Sequence, residues 1–222
     1  MAPTARDVLA EAVRRLAPDT GANRLVPLIA AGRAPLETIA ALALEQHHII
    51  PADRTGYRLL RDRCAQRPAE AAYFAALVQG EDLALERLPA LLAACGQDEA
   101  TIAAHEPRAG CQAYPAYTAW LALNADPVDV VVAVTANFAA WSGYCATVAG
   151  ALRTHYGFTD EACGFFGLFA APDPEGERRA VAAVTAGLEA GRFTPVLAHR
   201  YGRLLQSYEL MFWNALAGDS AP

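Results

Sequence analysis

The most informative part of the sequence is Tyr208-Glu209-Leu210-Met211-Phe212-Trp213, which lies in a run from Thr194 to Ala217 with helical periodicity throughout. Side chains three and four positions apart share one face of a helix. Leu205, Phe212 and Trp213 therefore flank Glu209. A carboxylate in the middle of an apolar, aromatic stripe costs free energy unless a partner meets it. Glu209 is therefore the strongest candidate for a functional residue.

The same periodicity extends over the rest of the chain and predicts an all-α protein. Alanine, the residue with the best helix propensity, makes up about a quarter of the sequence, and no segment shows the alternation of a strand. Glycine and proline, including Pro51 and Gly80, are expected to end helices. We predict helices at 5–16, 22–32, 35–49, 52–65, 69–79, 81–95, 98–104, 113–124, 127–154, 159–168, 175–190 and 194–217. We expect one domain over residues 1–222, with short flexible ends.

The segment 127–154 differs from the other predicted helices because it is apolar on nearly all sides. A helix of this kind is buried on most of its surface. We therefore predict that it is the central helix, and that its small polar residues Asn137 and Ser142 face the interior. In contrast, Glu81, Asp82 and Glu86 are typical of a solvated helix face.

Composition excludes several classes of function. The chain contains no lysine, which excludes a Schiff-base lysine and a P-loop lysine. Its net charge of −6 and scattered arginines argue against a nucleic-acid partner. We find neither an apolar run of about 18 residues nor a signal peptide, so we expect a cytoplasmic protein without a membrane partner. The five cysteines form no CxxC pair and are expected to be free, buried thiols.

Aromatic residues are numerous on the predicted inner faces of the helices. Tyrosine and tryptophan need a partner for their polar atom when buried. Such residues could line a pocket for a flat organic ligand, or they could form an ordinary aromatic core. The candidates for substrate binding are Gln46, Tyr73, Tyr114, Tyr117, Phe138, Trp141, Tyr144, Tyr208 and Phe212.

Three motifs resemble those of the TenA/THI-4 family. The segment from Tyr208 to Ala215 is similar to the Tyr-Glu-x-x-Phe-Trp-x-x-Ala helix that closes the family's chains, and Gln112–Leu121 is similar to its tyrosine-bearing helix. Gln46-His47-His48 lies where the family has Gln-Asp-Tyr. The resemblance spans about 22–217. It implies a haem-oxygenase-like, all-α helical bundle of the kind found in thiaminase II and, more distantly, in the PqqC oxidases.

The sequence departs from the family at two functional positions. The position of the family's cysteine nucleophile is occupied by Asn137 in one alignment and by Ser142 in another, and Cys145 is in register with neither. The position of the family's aspartate is occupied by His47. Only Glu209 corresponds directly to a family functional residue.

The leading hypothesis is a TenA-like enzyme, hydrolase or transferase, that acts on a small aromatic or heteroaromatic substrate without a metal or other cofactor. The substrate could be related to thiamin and its aminopyrimidine, or to a secondary metabolite. Glu209 would be the general acid/base, because apolar neighbours raise the pKa of a carboxyl group. Asn137 or Ser142 would hydrogen-bond the substrate, and His47 is a further acid/base candidate.

Two alternatives remain open at the sequence level. The first is a di-iron oxidase or oxygenase with Glu70, His47, His199 and Glu209 as ligands, although tyrosine stands at the histidine position of the family's Glu-x-x-His pair. The second is a non-catalytic protein that binds a small molecule. In each case we expect a homodimer or homotetramer, because the chain is more apolar than a monomer of this size requires.

Overall fold

The computed structural model describes residues 3–218, which form ten α-helices and no β-strand. The all-α prediction is confirmed for these residues. The outermost residues of the expected flexible ends lie outside the described range. The helices are α1 (Ala5–Leu16), α2 (Leu25–Ala30), α3 (Leu36–Arg63), α4 (Pro68–Ala94), α5 (Glu99–Ala104), α6 (Ala109–Asn124), α7 (Pro127–Tyr156), α8 (Gly164–Ala170), α9 (Pro174–Glu189) and α10 (Pro195–Ala217).

Helix α3 continues through Pro51, so the prediction of two helices at 35–49 and 52–65 was wrong. A proline inside a helix costs about 3 kcal/mol relative to alanine. Burial of the adjacent Ile49 and Ile50 opposes this cost, while Pro51 itself faces solvent. Because α3 is continuous, Gln46, Ile50 and Asp53 follow one another at spacings of four and three and lie on one buried face.

Helix α4 likewise continues through Gly80, so the predicted break between 69–79 and 81–95 was also wrong. One glycine inside a helix costs only about 1 kcal/mol relative to alanine. The buried face of α4 therefore runs without interruption through Val78, Glu81 and Ala84. Glu81 is buried, contrary to the prediction of a solvated position, whereas Glu86 is exposed as expected.

Helix α7 is the central element, because it packs against α1, α2, α8, α9 and α10. Its first turn is fixed by Asp126, whose side chain accepts a hydrogen bond from the Val128 amide, and by proline at the first helical position. By length and composition the helix could also cross a membrane, but half of its apolar window is buried inside the bundle. Helix packing thus accounts for much of its apolar surface.

The core consists of two hydrophobic clusters, and several helices pass from one to the other. Along α10, Leu205 belongs to one cluster and Phe212 to the other; along α3, Tyr57 and Ile50 are divided in the same way. A polar residue, buried in four of the helices and half-buried in the case of Tyr114, occurs at each transition of this kind. These residues are Asp53 on α3, Glu81 on α4, Tyr114 on α6, Asn137 on α7 and Glu209 on α10, and we call them the polar layer.

Candidate functional site

Glu209 lies in the polar layer with only 4% of its surface exposed. The Asn137 side chain donates a hydrogen bond from Nδ2 to Oε2 of Glu209 at 2.5 Å. The Trp213 indole, one turn further along α10, donates from Nε1 to Oε1 at 3.1 Å. Each carboxyl oxygen therefore accepts a hydrogen bond, as a buried carboxyl group requires.

Burial raises the pKa of Glu209 to about 7, even though the hydrogen bonds from Trp213 and Asn137 both favour the ionised form. A carboxyl group with this pKa can accept or donate a proton near neutral pH. A pKa close to the working pH is the property that general acid/base catalysis needs.

Tyr114 fixes the orientation of the Asn137 amide. Its hydroxyl donates a hydrogen bond to Oδ1 of Asn137 at 3.1 Å, so Nδ2 must point toward Glu209. Burial, followed by the charges of Asp53 and Glu209, raises the pKa of Tyr114 well above its usual range. Tyr114 therefore stays protonated and remains a donor.

Asp53 and Glu81 form a second acidic group in the polar layer. Burial raises the pKa of Asp53 to about 7, with an opposing effect from the Thr118 hydroxyl. The pKa of Glu81 is raised well above its usual range, first by burial and then by the charges of Asp53 and Asp82. The negative charge of each carboxylate therefore disfavours the ionisation of the other.

The polar layer opens into a cavity between α3, α4, α6, α7, α8 and α10. The space there that protein atoms do not fill is about 510 Å³, including the part open to solvent. Five of the twelve lining residues are aromatic and two are isoleucines, and none of the described residues that line the cavity is basic or a cysteine. The lining residues are Gln46, Ile49, Ile50, Asp53, Glu81, Tyr114, Asn137, Phe138, Trp141, Phe169, Glu209 and Phe212.

Seven of the thirteen residues that the sequence proposes for catalysis or substrate binding lie in this cavity. They are Gln46, Tyr114, Asn137, Phe138, Trp141, Glu209 and Phe212. Sequence reasoning missed Asp53, Glu81 and Phe169. Asp53 is seven residues after Gln46, and Glu81 is three residues after Val78, so each pair shares one face of a continuous helix. This spacing was not used in the prediction, because the helices were expected to end at Pro51 and Gly80.

Two proposed catalytic residues lie outside the cavity. His47 is exposed, because α3 turns by about 100° per residue and its cavity face is taken by Gln46. Ser142 donates a hydrogen bond to the Phe169 carbonyl and does not line the cavity. Of the two candidates for the family's cysteine position, the structure thus places Asn137, and not Ser142, beside Glu209.

Four tyrosines that were candidates for substrate binding also lie outside the cavity. Tyr73 is buried and its hydroxyl is 3.1 Å from that of Thr135, and Tyr144 packs edge-on against Trp213 at a ring distance of 5.6 Å. Tyr117 stacks on the half-exposed Trp120 and also contacts Tyr208. These four residues shape the core or the surface around the site.

The proposed iron ligands do not come together. The buried Glu70 forms an ion pair with the partly exposed Arg192 at 2.6 Å, His47 is exposed, and His199 lines a surface hollow beside Arg203. Among residues 3–218, no group of three or more histidine, cysteine, aspartate or glutamate residues is arranged to hold a metal ion. The described side chains therefore do not fit the di-iron centre of the alternative hypothesis.

The cysteines are buried and free, as the sequence predicts. Burial, together with the charge of Glu209, raises the pKa of Cys145 well above its usual range. Burial likewise raises the pKa of Cys111 to about 12. A buried thiol of this kind is a poor source of thiolate.

Comparison with known proteins identifies the fold. No family profile and no curated protein sequence matches the chain. A TenA homologue from P. horikoshii OT3 is 13% identical, with a TM-score of 0.71 over 96% of this chain and 98% of that one. A structure described as a TenA family transcription regulator from a Silicibacter species is 15% identical, with a TM-score of 0.73 over 95% and 96%.

A third structure is a domain of unknown function with a haem-oxygenase-like fold from Shewanella denitrificans. It is 16% identical, with a TM-score of 0.55 over 96% of this chain and 94% of that one. At these identities the structural similarity establishes the fold alone, and the chemistry has to be inferred from the side chains of the site. The protein has the all-α, haem-oxygenase-like fold of TenA homologues, with Glu209 buried in an aromatic-walled cavity.

Proposed function

We propose that this protein is an enzyme that acts on a small nitrogen heteroaromatic compound by acid/base chemistry at Glu209. The observation that carries the proposal is the position of Glu209 in the cavity wall, buried and held by Asn137 and Trp213. A carboxyl group is seldom buried in an aromatic environment unless it has a function or a charged partner. The two hydrogen-bond donors on Glu209 are neutral.

In this mechanism Glu209 exchanges a proton with a ring nitrogen or a leaving group of the substrate. Asn137 and Trp213 keep the carboxyl group in place through both protonation states. Phe138, Trp141 and Phe212 provide flat apolar surfaces on which an aromatic ring can stack. Burial keeps bulk water away from the proton-transfer step and keeps the pKa of Glu209 near 7.

The proposed chemistry uses no thiolate. Asn137 lies beside Glu209, where the family resemblance places the nucleophile in one of the two alignments. The high pKa of Cys145 also argues against a nucleophilic role for that residue. We therefore expect water or another nucleophile to attack the substrate directly, with Glu209 transferring the proton and without a covalent enzyme intermediate.

The experiment is a substrate screen with a matched pair of variants. Purified protein is incubated with thiamin, its aminopyrimidine and related heteroaromatic amines, and products are identified by mass spectrometry. For a compound that is turned over, we expect Glu209→Gln to reduce kcat/KM by at least about 100-fold. Glu86→Gln, on the exposed face of α4, should retain full activity. A fully active Glu209→Gln enzyme would contradict the proposal.

The partner that we propose is a small molecule. One structural neighbour is described as a transcription regulator, but the net charge of −6 of this chain argues against DNA binding. Cytoplasmic location and homo-oligomerisation stay predictions.

A further inference from the structure

The second acidic group, Asp53 and Glu81, has no role in the acid/base chemistry proposed for Glu209. It lies on two other helices, α3 and α4, yet both of its carboxyl groups line the same cavity. Only 5% of Asp53 and 6% of Glu81 is exposed. Two buried carboxyl groups in one cavity are costly, and strongly perturbed titratable groups of this kind cluster at functional sites.

No positive charge of the described chain compensates this group. The neighbouring Arg54 is already paired with Asp82 at 2.5 Å, and no lining residue between positions 3 and 218 is basic. Oδ1 of Asp53, whose side chain lines the cavity, has no hydrogen-bond partner among the described residues. A buried carboxyl oxygen that lines a cavity and has no protein partner can accept a hydrogen bond from a molecule bound there.

We propose that Asp53 and Glu81 bind a cationic nitrogen, an ammonium or amidinium group, on the ligand whose ring lies against the aromatic wall of the cavity. This inference rests on the proposed function, because it places the ligand's ring in the same cavity as Glu209. The donors of such a cation fit an acceptor-only carboxylate pair. The opposite charge removes the repulsion between the two carboxylates.

The residues around the acidic pair also favour the binding of a cation. The aromatic rings of Trp141 and Phe138 line the same cavity, and the face of an aromatic ring attracts a cation. The titratable groups that face the pair or share its cavity are Tyr57 on α3, Asp82 on α4, Tyr114 on α6 and Glu209 on α10. None of these adds a positive charge. A bound cation should therefore displace protons from the pair, and its affinity should increase with pH.

The test compares benzamidine with benzamide, two probes of nearly identical shape that differ in charge. We expect benzamidine to bind the wild-type protein at least 10-fold more tightly than benzamide at pH 8, measured by isothermal titration calorimetry. Lowering the pH to 6 should weaken the binding of benzamidine alone. Titrations in two buffers of different ionisation enthalpy should show proton release with benzamidine.

Variants then assign the effect to the pair. Asp53→Asn, Glu81→Gln and the double variant should bind benzamidine no more tightly than benzamide, while Asp82→Asn, whose side chain does not line the cavity, should retain the preference. Circular dichroism verifies that each variant is folded. The wild-type pH dependence and proton release test the proposal even if one variant fails to fold.

Three outcomes would overturn the inference: equal affinity for the two probes, absence of benzamidine binding, or a preference that persists in the double variant. If only Glu209→Gln lost the preference for benzamidine over benzamide, the cation would bind at Glu209, and the inference about Asp53 and Glu81 would be overturned as well. None of these results depends on turnover. The proposed function fails by a different result, an undiminished kcat/KM in Glu209→Gln.

Discussion

Glu209 is the residue on which the proposed chemistry depends, and its two donors control its protonation. The hydrogen bonds from Trp213 and Asn137 stabilise the ionised carboxylate, while burial favours the neutral acid. The balance of these effects places the pKa of Glu209 at about 7. Removal of either donor should therefore raise the pKa further.

Asn137→Ala tests this control at the residue scale. We expect the apparent pKa in the pH profile of kcat/KM to move to higher pH, because Glu209 loses the donor on Oε2. We also expect activity to fall by roughly 10- to 100-fold, the cost of losing about 1–3 kcal/mol of hydrogen bonding to a charged group. The measurement is a pH–rate profile of both enzymes with the same substrate.

Ser142→Ala is the matched control, since Ser142 is the other candidate for the same family position. Its hydroxyl bonds the Phe169 carbonyl outside the cavity. Its removal should leave the apparent pKa of the profile unchanged. Identical profiles for the two variants would show that Asn137 does not control the protonation of Glu209.

At the scale of the element, continuity of α3 and α4 places the second acidic group. A helix that ended at Pro51 or Gly80 would not carry Asp53 or Glu81 in register with the residues before it. The local rules predict breaks there, because proline lacks an amide donor and glycine has the greater backbone freedom. Burial of the faces on either side overrides both preferences.

Two glycine substitutions test how these helices pack. Gly80→Ala should raise the free energy of unfolding by about 0.5–1 kcal/mol, because a Cβ atom there meets nothing within 4 Å and alanine favours the helix. Gly187→Ala should lower it by about 1–3 kcal/mol, because its Cβ would lie 2.8 Å from Cβ of the stiff Val128 side chain. Urea denaturation measures both. Similar effects of the two substitutions would contradict this account of the packing.

At the scale of the whole molecule, the polar layer separates two hydrophobic clusters and makes stability depend on pH. The folded protein holds the carboxyl groups of Asp53 and Glu209 with a pKa of about 7, against 3.8 and 4.5 in the unfolded chain. Between these values the folded state binds more protons than the unfolded state. The free energy of unfolding should therefore fall as the pH rises from about 4 to about 7.

Asp53→Asn removes one of these groups and should reduce the pH dependence. Between about pH 5 and about pH 8, the free energy of unfolding of the wild type should fall by roughly 3 kcal/mol more than that of the variant. Asp82→Asn is the control, because Asp82 is paired with Arg54 and is partly exposed. Chemical denaturation over this pH range is the measurement. Parallel curves for Asp53→Asn and the wild type would contradict the prediction.

The prediction of the fold class and of part of the site from sequence has a clear physical basis. The all-α class follows from alanine content and apolar periodicity, which act within one helix. Glu209, Asn137 and the aromatic residues of α7 were recognisable because each lies on a strongly apolar helix face. His47 and Ser142 could not be excluded in this way, because the rotation of each helix depends on its neighbours.

Local sequence thus determined that the chain is helical, that Glu209 is buried among aromatic residues, and that the chain contains no lysine for chemistry. The tertiary structure alone decided that Pro51 and Gly80 are tolerated, since only packing with other helices supplies the free energy that opposes their local preferences. It also decided that Asp53 and Glu81 share a cavity with Glu209. These three residues come from three different helices, and the distance between residues of different helices is set by packing and not by periodicity.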